Sequence, residues 1–149
     1  MDLTIYTIMI NNQLICEDLI MKKRILCIKE LKWQKMWKLW KHHKTVTPLT
    51  ELLTYENAMQ IGGHLRFFNE ATHDDIICTT MVLKEYLPKE YYDNYIKSYL
   101  IFIDMKYNIK KGKVINKIQQ ENLFKETDEY YYKDESIMYK ILLEFLVKI

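Results

Sequence analysis

The chain has 149 residues, 49% of them apolar and 28% charged, and a formal net charge of +2. A chain of that length can bury a core without covalent or metal staples, and these proportions exclude a disordered protein. So small a net charge excludes a global field that would draw the molecule onto nucleic acid or anionic lipid, and any such preference has to be local.

Residues 3–10 (LTIYTIMI) are β-branched and aromatic and run into Asn11-Asn12, a turn signal. They predict a short strand, or a hairpin with residues 13–16. From Glu17 the pattern turns helical. Glu17 and Asp18 suit a helix start, and basic residues accumulate toward Lys44, as the helix dipole favours. One long helix over 17–44, or two with a break near Arg24, fits this stretch. Thr47-Pro48 predicts the next helix, with Thr47 as N-cap, Pro48 in the first turn and Glu51 close to the capping-box position. It should stop at Gly62-Gly63, leaving HLRFFNE as a short piece. Thr72 then caps a segment with an acidic first turn (Asp74, Asp75), and Pro88 ends it.

Residues 89–107 predict the most tyrosine-dense helix, with Tyr91, Tyr92, Tyr95, Ile96, Tyr99, Leu100, Phe102 and Ile103 at three- and four-residue spacing. Residues 108–113 (NIKKGK) read as a loop. Val114 to Phe124 reads as an amphipathic helix with Val114, Ile118 and Leu123 or Phe124 on one side. An acidic connector, ETDEYYYKDE, follows, and the chain closes with a helix over 136–147, too densely apolar to be a solvated surface element. No repeat or long linker divides the chain. The expected fold is mainly α, a single domain over 1–149 built as a bundle of five to seven helices.

Three cysteines (Cys16, Cys27, Cys78) form no C-x-x-C pair and leave an odd count. A reducing compartment and inert thiols among apolar neighbours are expected. The N-terminus sets apolar residues ahead of its basic cluster, the reverse of a signal peptide, and no apolar run is long enough for a transmembrane segment. An intracellular, cytoplasmic protein is expected. Two alanines and two arginines stand against twelve tyrosines. AT-rich coding produces such usage, as in viruses and other mobile genomes, where the location would be the host cytoplasm.

The segment KELKWQKMWKLWKHHK sets Lys29, Lys32, Lys35, Lys38, Lys41 and Lys44 three residues apart, with Trp33, Trp37 and Trp40 between them. On a helix, Trp33, Met36, Trp37 and Trp40 fall within about 100° of arc and form a stripe. A period of three slips by about 60° per step, so the lysines wind around the helix instead of lining one face. The stripe reads as a core face with solvated lysines. It also reads as a nucleic-acid surface using Lys29, Lys32, Lys35, Lys38 and Lys41, as an interfacial membrane helix, or as a hot spot for a protein partner. A second basic cluster, Lys106, Lys110, Lys111, Lys113 and Lys117, surrounds the NIKKGK loop. Scarce arginine disfavours base-specific readout.

Tyrosine brings contact area at low entropic cost, and five tyrosines between 91 and 107 exceed what a core alone pairs. Tyr92, Tyr95 and Tyr99, with the three tryptophans, are therefore the candidate partner-binding residues. An acidic pole at 126–135 opposes the basic pole at 22–44, which admits head-to-tail association into a homo-oligomer.

No phosphate-binding glycine loop or nucleophile elbow occurs. The histidines lack zinc-ligand spacing, and Glu70-x-x-His73 has no second copy to complete a di-iron site, so neither metal nor cofactor is expected. Arg66 and His73 bracket FFNEAT. This Arg-x6-His pattern resembles the Arg-x4–6-His motif of the HEPN ribonucleases, with Phe67 standing where that family has a polar residue. The resemblance covers eight residues and implies a small helical protein that dimerises and cleaves RNA through Arg66 and His73. The leading expectation remains a non-enzymatic module that binds a protein partner through a Trp/Tyr-rich helical surface. A non-specific nucleic-acid binder and the ribonuclease are the alternatives.

Overall fold

The computed structural model describes residues 21–24 and 28–148. The expected N-terminal strand, the helix start at Glu17, Cys16 and Cys27 lie outside the described residues.

The described chain is mainly α. Residues 21–24 are helical, and residues 28–41 form α1. It is followed by α2 (Leu49–Glu70), α3 (His73–Tyr86), α4 (Lys89–Lys110), α5 (Lys117–Tyr132) and α6 (Ser136–Leu146). Among the described residues no helix is long and apolar enough to cross a membrane.

Local chemistry explains most boundaries. α1 ends in a Schellman turn: His43 takes a left-handed φ of 57°, its N–H donates to Trp40 O (3.0 Å), and Lys44 N–H donates to Leu39 O (2.8 Å). Gly112, at φ 95°, closes α4 in the same way, with Gly112 N–H on Ile109 O and Lys113 N–H on Asn108 O. Thr72 caps α3 as expected, and the structure adds the reciprocal bond from Thr72 N–H to Asp75 that makes the pair a capping box. Pro88 then ends that helix after an extended Leu87.

Five expectations are corrected. Pro48, not Thr47, takes the cap position of α2, and the Thr47 hydroxyl instead donates to Glu51 Oε1 (2.8 Å). Gly63 does break α2, at φ 71° and ψ −165°, but the helix resumes and buries His64, Leu65, Phe67 and Phe68. The acidic connector is largely helix. An Asn116–Gln119 capping box starts α5 beyond Val114, and the helix runs on to bury Phe124, Thr127 and Tyr131 while Val114 and Ile118 stay exposed. Cys78 is exposed, not packed among apolar neighbours.

α2 is the hub, touching α3, α4, α5 and α6. α4 and α5 run antiparallel, as Asn94 Nδ2 donates to Thr127 O (2.9 Å) and Lys97 pairs with Glu126 (2.7 Å), while Met105 and Leu123 line one cavity further along. Each of α1 to α6 sends a side chain into the interior: Met36, Leu52, Leu83, Tyr95, Phe124 and Leu142 are fully buried. Each such side chain stabilises the fold by about 1.5–3 kcal/mol relative to an exposed position.

Candidate functional site

The tryptophan stripe of α1 lies half-buried against the protein's own core. Trp40 Nε1–H donates to Thr54 Oγ1 of α2 (2.9 Å), and the Trp33 ring meets Tyr139 of α6 with centroids 5.0 Å apart. Trp37 joins its two neighbours edge-on, at 6.4 Å and 5.4 Å. The stripe is thus the seam that fastens α1 to α2 and α6.

The lysines wind around α1 as helical geometry requires. Lys29, Lys35, Lys38 and Lys41 are exposed, and Lys32 is half-buried. Lys32 Nζ reaches Leu146 O at the C-terminus of α6 (3.4 Å), where a cation meets the negative end of the helix dipole. In the second basic cluster, Lys106 and Lys111 lie over the Phe102 and Tyr107 rings, at 5.3 Å and 4.7 Å.

Arg66 and His73 are placed on different elements. Arg66 is exposed on the second half of α2 and pairs with Glu70 (3.0 Å). His73 is exposed at the first position of α3, just beyond the Thr72 cap.

Sequence reasoning missed the most connected polar group. His64 is fully buried immediately after the Gly63 break. Its Nδ1 lies 2.6 Å from Asp128 Oδ1 of α5, and its Nε2 lies 2.8 Å from the Tyr55 hydroxyl one helical half earlier. Asp128 Oδ1 also accepts the His64 backbone N–H (3.0 Å). An ionised carboxylate only accepts, so Nδ1 carries the proton, Nε2 accepts and Tyr55 donates. Burial pushes the imidazole below its ordinary value of 6.5 and outweighs the upward pull of Asp128. Burial, then the neighbouring Tyr95, Asp128 and Glu56, holds the Tyr55 phenol well above its usual range.

The order carboxylate–imidazole–hydroxyl is that of a nucleophilic triad. Here the hydroxyl is the innermost member, ringed edge-on by Phe67, Tyr95 and Tyr131 at 5.3–5.5 Å, so a substrate has no approach to it. The chain works as a cross-link joining both halves of α2 to α5. Beside it the Tyr131 hydroxyl donates to Glu56 Oε2 and the Tyr132 hydroxyl to Met59 O, adding two more α5-to-α2 bonds. Among the described residues no three metal-ligating side chains converge.

The tyrosines of α4 divide between two faces. Tyr95 is fully buried, with its hydroxyl 3.0 Å from Thr80 Oγ1 of α3, and burial pushes it up to about 12. It belongs to the core and offers nothing to a partner. Tyr92 and Tyr99 are half-buried at the rim. Beyond them Leu100, Ile103 and Tyr107 are 60%, 45% and 54% exposed.

Compared with protein-family models, curated proteins and solved structures, the chain matches none.

Proposed function

We propose that the protein is a binding module that docks a protein partner on the outward face of α4. The observation that carries this reading is the second apolar face of that helix. One side buries Tyr91, Tyr95, Ser98 and Met105. Beside it, Tyr92, Ile96 and Tyr99, partly buried against the core, run on into the exposed Leu100, Ile103 and Tyr107 at the spacing of one continuous stripe. A helix on the rim of a bundle needs only one apolar side for its own packing. A contiguous second one, aromatic at both ends, has the composition of an interface core. The tryptophans, spent on anchoring α1, support the module's integrity more than its contact surface.

The test pairs Leu100→Asp with Ile103→Asp in the full chain. Both sites are exposed, so the thermal midpoint should stay within about 4 °C of wild type. A partner retained from a lysate by the wild type should be lost by the double variant. Equal retention by both would put the interface elsewhere and sink the proposal. Sedimentation of the protein alone tests a second copy as that partner, since the double variant would then abolish self-association. Salt-sensitive duplex binding that vanishes with Lys35→Glu and Lys38→Glu would move the function to α1.

A further inference from the structure

A different surface, formed where α1, α2 and α6 meet, carries a separate inference. A cavity of about 330 Å³ opens there, with Trp33 and Tyr139 as its aromatic walls and Glu56 and Glu135 as its charged ones. The two rings stand 5.0 Å apart with planes inclined at 50°, so they make a corner, not a stack. Tyr139 is 49% exposed and lines this cavity.

The carboxylates are the unusual part. Glu56 accepts from Gln60 Nε2 (2.8 Å) and from the Tyr131 hydroxyl, both neutral donors. Its hydrogen bonds are satisfied, but among the described residues neither Glu56 nor Glu135 has a cation paired with it. Burial first, and then the charge of Glu135, raises the Glu56 carboxyl above its ordinary range. The positive end of α6 does not compensate them, because Asp134 already occupies it. Its Oδ1 accepts the Ser136 N–H (3.1 Å) and the Ser136 hydroxyl (2.5 Å). On the other side of the same ring pair a smaller cavity is lined by Lys29 and Glu30 together, so negative charge without a cation is confined to the α2 side.

Two like charges at one cavity, one of them held partly out of water, and two ring faces at an angle are complementary to a cation that is both charged and flat or apolar. Ring faces attract cations within about 6 Å of the centroid, most strongly for tryptophan. A hard divalent ion would need six or more oxygen ligands and gains little from aromatic walls. We propose that the corner of Trp33, Tyr139, Glu56 and Glu135 is a binding site for an organic cation, a guanidinium or alkylammonium group. It is carried either by an arginine or lysine side chain of a peptide or by a small free amine.

The experiment follows amide and indole resonances of the uniformly ¹⁵N-labelled full chain during titration. Three probes are used: an acetyl-Gly-Arg-Gly-amide peptide, its neutral isostere with citrulline in place of arginine, and free agmatine. The arginine peptide should bind at least about tenfold more tightly than the citrulline peptide, with the Trp33 indole among the shifted signals. Glu135→Gln changes an exposed side chain, Tyr139→Leu leaves an apolar group against Trp33, and each should weaken arginine binding several-fold while the amide spectrum remains that of the folded protein. Tighter binding of the peptide than of agmatine supports the site and assigns it to a protein segment. The reverse order supports it and assigns it to a free amine. Equal affinity for arginine and citrulline, or arginine binding unmoved by both variants, would overturn the proposal. The outcome is independent of α4, whose variants leave this corner untouched.

Discussion

Gly63 holds a φ of 71° in the middle of α2, a backbone conformation that side chains rarely adopt. A Cβ there would also stand 2.7 Å from Asp128 Cγ, so the carboxylate reaches the His64 backbone and imidazole only because residue 63 has no side chain. Gly63→Ala therefore strains the backbone and expels Asp128 at once. The expected loss is about 3 kcal/mol or more, from left-handed strain together with buried donors left unpaired. Asp128→Ala removes only the second part and should cost about 1–3 kcal/mol. Urea unfolding of the two variants checks the order. If Gly63→Ala were the milder of the two, the close approach of α5 would not be what residue 63 provides. His43 holds its own left-handed φ of 57° at an exposed helix end.

Among the elements, α1 depends on its three tryptophans, whose rings are half-buried and run from Tyr139 to Thr54. Their combined emission should lie to the blue of free indole and be only partly quenched by iodide. Trp40→Phe removes the Nε1–H donor to Thr54 and should destabilise the protein by about 1 kcal/mol. Full quenching at the rate of free indole would show instead that the stripe faces water. That stripe was legible because its spacing is a property of one helix. So were the Thr72 cap, the stop at Pro88 and the dense apolar run of α6. The length of α5 was not. Asp128 and Tyr131 sit in an acidic, tyrosine-rich run that reads as solvated, yet their partners His64 and Glu56 lie 64 and 75 residues away. The one local signal was the spacing of Phe124, Thr127, Asp128 and Tyr131, which matches a buried helical face. Nothing in α4 alone told Tyr95 from Tyr92, because which side of that helix meets α2 is decided by the packing of the bundle.

At the scale of the molecule, the polar chain Tyr55–His64–Asp128 holds the broken hub helix to α5, so its proton balance is felt as global stability. His64 is neutral in the folded protein, with its value lowered below 6.5 chiefly by burial. The unfolded chain takes up that proton more readily. His64 therefore contributes stability that is fully present above pH 6.5 and is lost as the pH falls from 6.5 toward the lowered folded value. Glu56 acts in the opposite sense. Its carboxyl is raised above 4.5 by burial, so its share of stability is present below 4.5 and falls as the pH rises through the folded value. Glu126 and Asp134 are held low by the neighbouring Lys97 and Ser136, and their shares disappear only at still lower pH. Between about pH 7.5 and about pH 5.5 the imidazole should dominate, and the urea midpoint of the wild type should drop. In His64→Gln, whose side-chain amide keeps a donor and an acceptor but cannot take up a proton, the starting midpoint is lower and the acid-side drop should flatten. An unchanged slope in that variant would mean that the stability lost in acid comes from groups other than the buried histidine.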